Sequence, residues 1–112
     1  METTIETLRD ITIIKIEGDI DWGDETEIQN TVKDLIYRNN SKIIIDFGEL
    51  NYFSSSTIGI FINLHKIAKK MYTQIVFANL SDFALKLFVT SKLDSLFIIK
   101  DSVKEAVESF NQ

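Results

Sequence analysis

The stretch Lys42-Ile43-Ile44-Ile45-Asp46-Phe47-Gly48-Glu49-Leu50-Asn51-Tyr52-Phe53-Ser54-Ser55-Ser56-Thr57-Ile58-Gly59 decides how this chain folds. Its first part is a near-continuous apolar run. A strand with one wet face alternates polar and apolar residues; an unbroken run fits a strand buried on both faces of a parallel sheet. Its last part sets four consecutive hydroxyl residues, Ser54 to Thr57, ahead of a helical apolar pattern, Ile58, Ile60, Phe61, Ile62, Leu64, Ile67 and Ala68. A buried strand, a loop over 48–54 and a helix from about Ser56 to Met71 are the makings of a strand–helix–strand crossover.

Working outward, the same alternation continues on both sides. Upstream, residues 3–8 and 11–17 read as two strands joined by a two-residue turn at Arg9-Asp10. Gly18 to Gly23 reads as a loop. Asp24 is placed to cap a helix with Glu25 and Glu27 in its first turn, where the dipole favours acids. Ile28, Val32, Leu35 and Ile36 form its apolar stripe, and it should end near Asn39-Asn40. Downstream, residues 73–78 form another apolar strand. Ser81 or Asp82 caps a third helix with Phe83, Ala84, Leu87 and Phe88 inward. Leu96 to Ile99 is a short last strand, and Asp101 opens a final helix bearing Val103, Ala106, Val107 and Phe110. The order β-β-α-β-α-β-α-β-α predicts an α/β fold with a largely parallel sheet, an antiparallel edge strand and packed helices. At 112 residues, one domain over 1–112 is expected.

Composition removes several functions. With no cysteine there is no disulfide framework, thiolate metal site or cysteine nucleophile, and a single histidine, His65, makes no histidine cluster. No metal or cofactor is therefore expected. The opening residues, Met1 to Glu6, lack a basic segment followed by an apolar one, so a secretory signal is not expected. No apolar run approaches the ~18–20 residues that span a bilayer, so direct membrane insertion is not expected either. A cytoplasmic protein is the default. The net charge of -5 disfavours nucleic acid, whose binding depends on neutralising phosphates. That acidity is local: Glu17, Asp19, Asp21, Asp24, Glu25 and Glu27 fall within eleven residues that hold no base.

Two segments are candidates for function. The hydroxyl run Ser54–Thr57 lies where a buried strand feeds a helix, a place where open α/β sheets bind ligands. It reads as a helix cap, as an anion site or as a phosphorylation site, since a phosphate there meets free N–H groups and the positive helix end. No Gly-x-x-x-x-Gly-Lys-Ser/Thr phosphate loop is present. The acidic segment around Trp22 has the wrong spacing for a calcium loop, because Gly23 and Asn30 fall where ligands are needed. It reads as a solvated loop or as a partner surface anchored by Trp22. His65 lies nine residues past Ser56, roughly 13–15 Å along a helix, which excludes a Ser/His catalytic pair. With no phosphate loop, metal cluster or nucleophile–base pair, an enzyme is not expected.

The motifs, taken in order, resemble those of the STAS-domain anti-sigma factor antagonists. That family carries a strand ending in Asp, a loop, and Asp-Ser-Ser/Thr-Gly-Leu-Gly opening a helix. Asp46 and Ser54-Ser55-Ser56-Thr57-Ile58-Gly59 match this pattern, Gly18-Asp19-Ile20-Asp21 resembles its Gly-x-Leu-Asp turn, and Leu87-Phe88, Ser91 and Leu93 resemble the end of its third helix. The resemblance covers nearly the whole chain. It implies a partner-switching regulator that binds an anti-sigma factor, itself a serine kinase, and is phosphorylated on Ser55, with Ser56 the alternative. It also implies a partner surface made of Asp21, Trp22, Asp24, Ser54, Ser55, Ser56, Thr57 and Ile58, on a monomer or weak dimer. Two positions depart from the pattern: Ser54 replaces the motif's Asp and Thr57 its first Gly. A second implied role is therefore a non-phosphorylated STAS subunit or scaffold in a signalling or membrane-transport complex.

Overall fold

Ile43, Ile44 and Ile45 are fully buried, and they separate two apolar layers. They lie on β3 (Lys42–Asp46), the centre of the sheet in a computed structural model that describes residues 1–93 and 95–110. Among those residues the preceding elements are β1 (Glu2–Leu8), β2 (Ile11–Asp19) and α1 (Trp22–Tyr37). Those that follow are β4 (Leu50–Tyr52), α2 (Ser55–Lys70), β5 (Gln74–Ala78), α3 (Asp82–Thr90), β6 (Ile98–Lys100) and α4 (Val103–Ser109). The main sheet runs β1-β2-β3-β5-β6. Only β1 is antiparallel to its neighbour; the other pairings are parallel. The single α/β domain with an antiparallel edge strand is thus the one expected.

Successive residues of a strand face opposite sides, so each strand feeds both layers. Ile14, Ile16, Ile43, Ile45, Ile75 and Phe77 pack under α1, α2 and α3. Ile11, Ile13, Ile44, Val76 and Ala78 pack against α4 alone. The larger layer is aromatic at its centre. Phe47 has Phe53, Phe61, Phe77 and Phe88 around it at centroid distances of 5.6–6.4 Å, three of the four pairs edge-on, an arrangement that aromatic quadrupoles favour.

The structure changes the sequence reading at several places. The loop over 48–54 contains β4, which pairs with the end of β2: Gly18 N–H donates to the Glu49 carbonyl at 3.0 Å and Ile20 N–H to the Tyr52 carbonyl at 2.8 Å. A three-residue strand held by partners some thirty residues away has no local signature. Helix α1 begins at Trp22 with Asp21 as its N-cap residue, not at Asp24. Helix α4 is capped by Ser102, whose Oγ accepts the Glu105 N–H at 3.1 Å, not by Asp101. Phe83 does not point inward: it is 44% exposed.

Candidate functional site

The turn into α2 is fixed from below. Asp46, at the end of β3, accepts hydrogen bonds from Gly48 N–H and Asn79 Nδ2, each at 2.9 Å, through one carboxylate oxygen. A Cβ at Gly48 would lie 3.1 Å from that oxygen and 3.4 Å from Asn79 Nδ2, so a glycine lets the chain turn this closely. Phe53 is buried just before the turn, and Thr57 and Ile58 are buried just after it. With residues 53, 57 and 58 anchored inside, helical geometry turns Ser55 and Ser56 out to solvent, and both are exposed.

The three serines are not equivalent. Ser54 occupies the N-cap position with an extended backbone, yet its hydroxyl caps nothing. It lies 2.7 Å from Ser56 Oγ. Ser56 in turn donates to Glu25 Oε1 on α1 at 2.7 Å. A hydroxyl has one proton, so with that of Ser56 committed to Glu25, Ser54 is the donor to Ser56. The chain Ser54–Ser56–Glu25 fastens the start of α2 to the start of α1. Ser55 makes no side-chain hydrogen bond to any described residue and stands free at the first position of α2. The first N–H groups of α2 have no side-chain acceptor, which leaves the positive end of the helix open to an anion.

The acidic segment adjoins this turn. Asp24 reaches back to accept the Asp21 N–H at 2.9 Å, so its carboxylate closes the start of α1. Trp22 is 89% exposed. Asp21, Trp22, Asp24, Ser54, Ser55 and Ser56 therefore share one surface at the carboxyl ends of the strands. Thr57 and Ile58 lie beneath that surface. Thr57 shares the buried stripe of Phe61, Leu64 and Ala68, and its Oγ1 is buried with no hydrogen-bond partner. Its spacing from those residues is the clue in the sequence that it faces inward.

Two features of this surface lay outside the sequence reading. Glu25 meets Ser56 across 31 positions of chain, so nothing local announces the pair. Tyr52 and Phe83 stack at 5.8 Å and 25°, extending the surface with a half-exposed aromatic pair. His65 is elsewhere, edge-on to Phe97 at 5.4 Å; burial first, then the charge of Lys69, lowers its pKa below 6.5. Among the described residues, no helix is long and apolar enough to cross a membrane.

The family model described as STAS domain matches residues 2–106. A candidate anti-sigma factor antagonist from Thermotoga maritima superposes with a TM-score of 0.91 at 15% identity, over 98% of this chain and 95% of that one. The anti-sigma factor antagonist SpoIIAA in its unphosphorylated form gives a TM-score of 0.83 at 20% identity, over 98% and 96% of the two chains. The Bacillus cell fate determinant SpoIIAA in its phosphorylated form gives 0.76 at 20% identity, over 97% and 99%. At these identities the structural likeness is one of fold.

Proposed function

This chain belongs to the STAS-domain family and has the fold of its anti-sigma factor antagonists, and from that premise we propose that it is a partner-switching regulator controlled at Ser55. In this reading the unphosphorylated protein binds an anti-sigma factor that is also a serine kinase, releasing the sigma factor which that kinase holds. The contact surface comprises Asp21, Trp22, Asp24, Ser54, Ser55 and Ser56, with Thr57 and Ile58 supporting it from below. The observation that carries the proposal is the free hydroxyl of Ser55, exposed at an uncapped helix start that the Ser56–Glu25 bond joins to the start of α1, where Trp22 is exposed. That bond already engages Ser56, the neighbour of Ser55. That SpoIIAA, of the same fold, is known in phosphorylated and unphosphorylated forms supports the same reading.

The switch follows from charge. Phosphorylation adds roughly -1.5 to -2 charges at pH 7. Burying that charge under a partner with no dedicated cation carries a desolvation penalty of several kcal/mol. That penalty is enough to release a micromolar complex.

The test is incubation with ATP and the cognate kinase, followed by intact-mass measurement. Wild type and Ser56→Ala should gain one phosphoryl group and Ser55→Ala none. A kinase preparation that modifies another antagonist but leaves this chain unchanged would overturn the proposal. Ser54 in place of the motif's acid favours a second reading, a constitutive STAS binding subunit. Partner affinity unchanged by both Ser55→Asp and Ser55→Ala distinguishes it.

A further inference from the structure

A cavity of about 510 Å³ opens at the opposite end of α2 from the serine turn, where the helix runs into β5 beside the edge strand β6. Helical rise puts His65, ten residues beyond Ser55, about 15 Å from the serine along the axis, so the two regions do not overlap. The volume falls in the range of small-molecule pockets, ~300–1,000 Å³. Its walls are mixed. Tyr72, Leu96 and Ile98 supply apolar surface, and Lys69, His65 and Thr73 supply polar groups that converge on it. None of these three side chains has a hydrogen-bond or ion-pair partner among the described residues. The carbonyls that end α2 do not face an incoming ligand unpaired: Met71, Tyr72 and Thr73 N–H groups already bond to those of Ile67, Ala68 and Lys69.

We propose that this cavity binds a small organic monoanion, an aromatic or aliphatic body carrying one carboxylate, with Lys69 holding the carboxylate and Tyr72, Leu96 and Ile98 enclosing the body. Among the described residues that line the cavity Lys69 is the one cation, which matches one negative charge; a polyphosphate would leave most of its charge uncompensated there. His65, whose pKa is lowered by burial and then by the charge of Lys69, contributes a polar ring to the wall. Tyr72 sits at the end of α2 in the left-handed region (φ 57°), a position where glycine is the cheap residue, yet it carries a ring that is 92% exposed at the cavity mouth. Asn39 after α1 and Lys92 after α3 take the same conformation, so what Tyr72 adds is its exposed ring beside the cavity.

The probes are 1-naphthaleneacetate and its neutral amide, titrated at pH 7.5 and followed by amide chemical shifts. The acid should bind saturably, with shifts concentrated in residues 72–75 and 96–98. The amide should bind about tenfold more weakly, the expected worth of a charge-assisted hydrogen bond. Lys69→Met should bring the acid down to the level of the amide, whereas Lys70→Met, outside the cavity, should not. Tyr72→Gly should raise the melting temperature and weaken the acid together. Equal binding of acid and amide, indifference to Lys69→Met, absence of saturation, or shifts centred on Tyr52 and Phe83 would each overturn the proposal. These readouts are independent of the Ser55 switch.

Discussion

Replacing Ser56 by aspartate sets a second carboxylate against Glu25, while the same replacement at Ser55 meets no such neighbour. In the wild-type protein Ser56 Oγ is 2.7 Å from Glu25 Oε1 and 2.7 Å from Ser54 Oγ. Ser56→Asp removes the donor from the first contact and substitutes a repulsion. Two like charges 4 Å apart cost about 1 kcal/mol in bulk water and more at a partly shielded surface. Loss of the hydrogen bond to the charged Glu25 adds about 1 kcal/mol. Interaction with the helix start returns about 0.3–1 kcal/mol. The net expectation is a loss of about 1–2 kcal/mol, or a melting temperature lowered by about 3–8 °C for a domain of this size. Ser55→Asp loses no contact and keeps the helix-start gain, so its melting temperature should match or exceed that of wild type. The two variants have the same net charge, so global charge effects cancel in the comparison. Differential scanning calorimetry at low salt gives the difference. Glu25→Gln should rescue Ser56→Asp, and 1 M salt, with a screening length of ~3 Å, should shrink the gap. Equal melting temperatures, or a Ser56→Asp deficit untouched by Glu25→Gln, would refute the Ser54–Ser56–Glu25 chain as the feature that sets Ser55 apart.

Two further outcomes are expected. Thr57→Val keeps the shape of the buried side chain and removes a hydroxyl with no partner, so it should stabilise by about 1–3 kcal/mol in urea unfolding; destabilisation would mean that the hydroxyl is satisfied. Burial and Lys69 lower the His65 pKa from 6.5, so the unfolded chain takes up that proton first, and this contribution to stability, full above about pH 7.5, declines as pH falls through 6.5 toward the folded value. The pH dependence of the urea midpoint between about pH 7.5 and 5 should flatten in His65→Asn, and an unchanged slope would assign it to other groups.

The sequence carried the periodic features. The run at residues 43–45 demanded burial on both faces, and it received α2 with its neighbours on one side and α4 on the other. The stripe from Ile28 to Ile36 and that from Phe61 to Ala68 lie inward as their spacing requires. Helix starts were less legible. Asp21 and Asp24 both qualify as caps by type, and the choice between them depends on Trp22 and Gly23 turning helical while the Trp22 ring stays in water. Phe83 reads as core by composition but stacks on Tyr52, because β4 brings that tyrosine beside α3.

By itself, then, the order of apolar periods determined the α/β architecture, and the motifs along it pointed to the STAS family. Those signals are local: burial of a face every two or every 3.6 residues is written into consecutive positions. What only the tertiary structure decided is which serine stands free. Ser54, Ser55 and Ser56 are the same residue in one dimension, and a carboxylate 31 positions away engages Ser56, draws Ser54 toward it and leaves Ser55 to solvent. The cavity under Tyr72 is of the same kind, since its walls come from the end of α2 and the edge of β6, which meet only when the sheet is assembled.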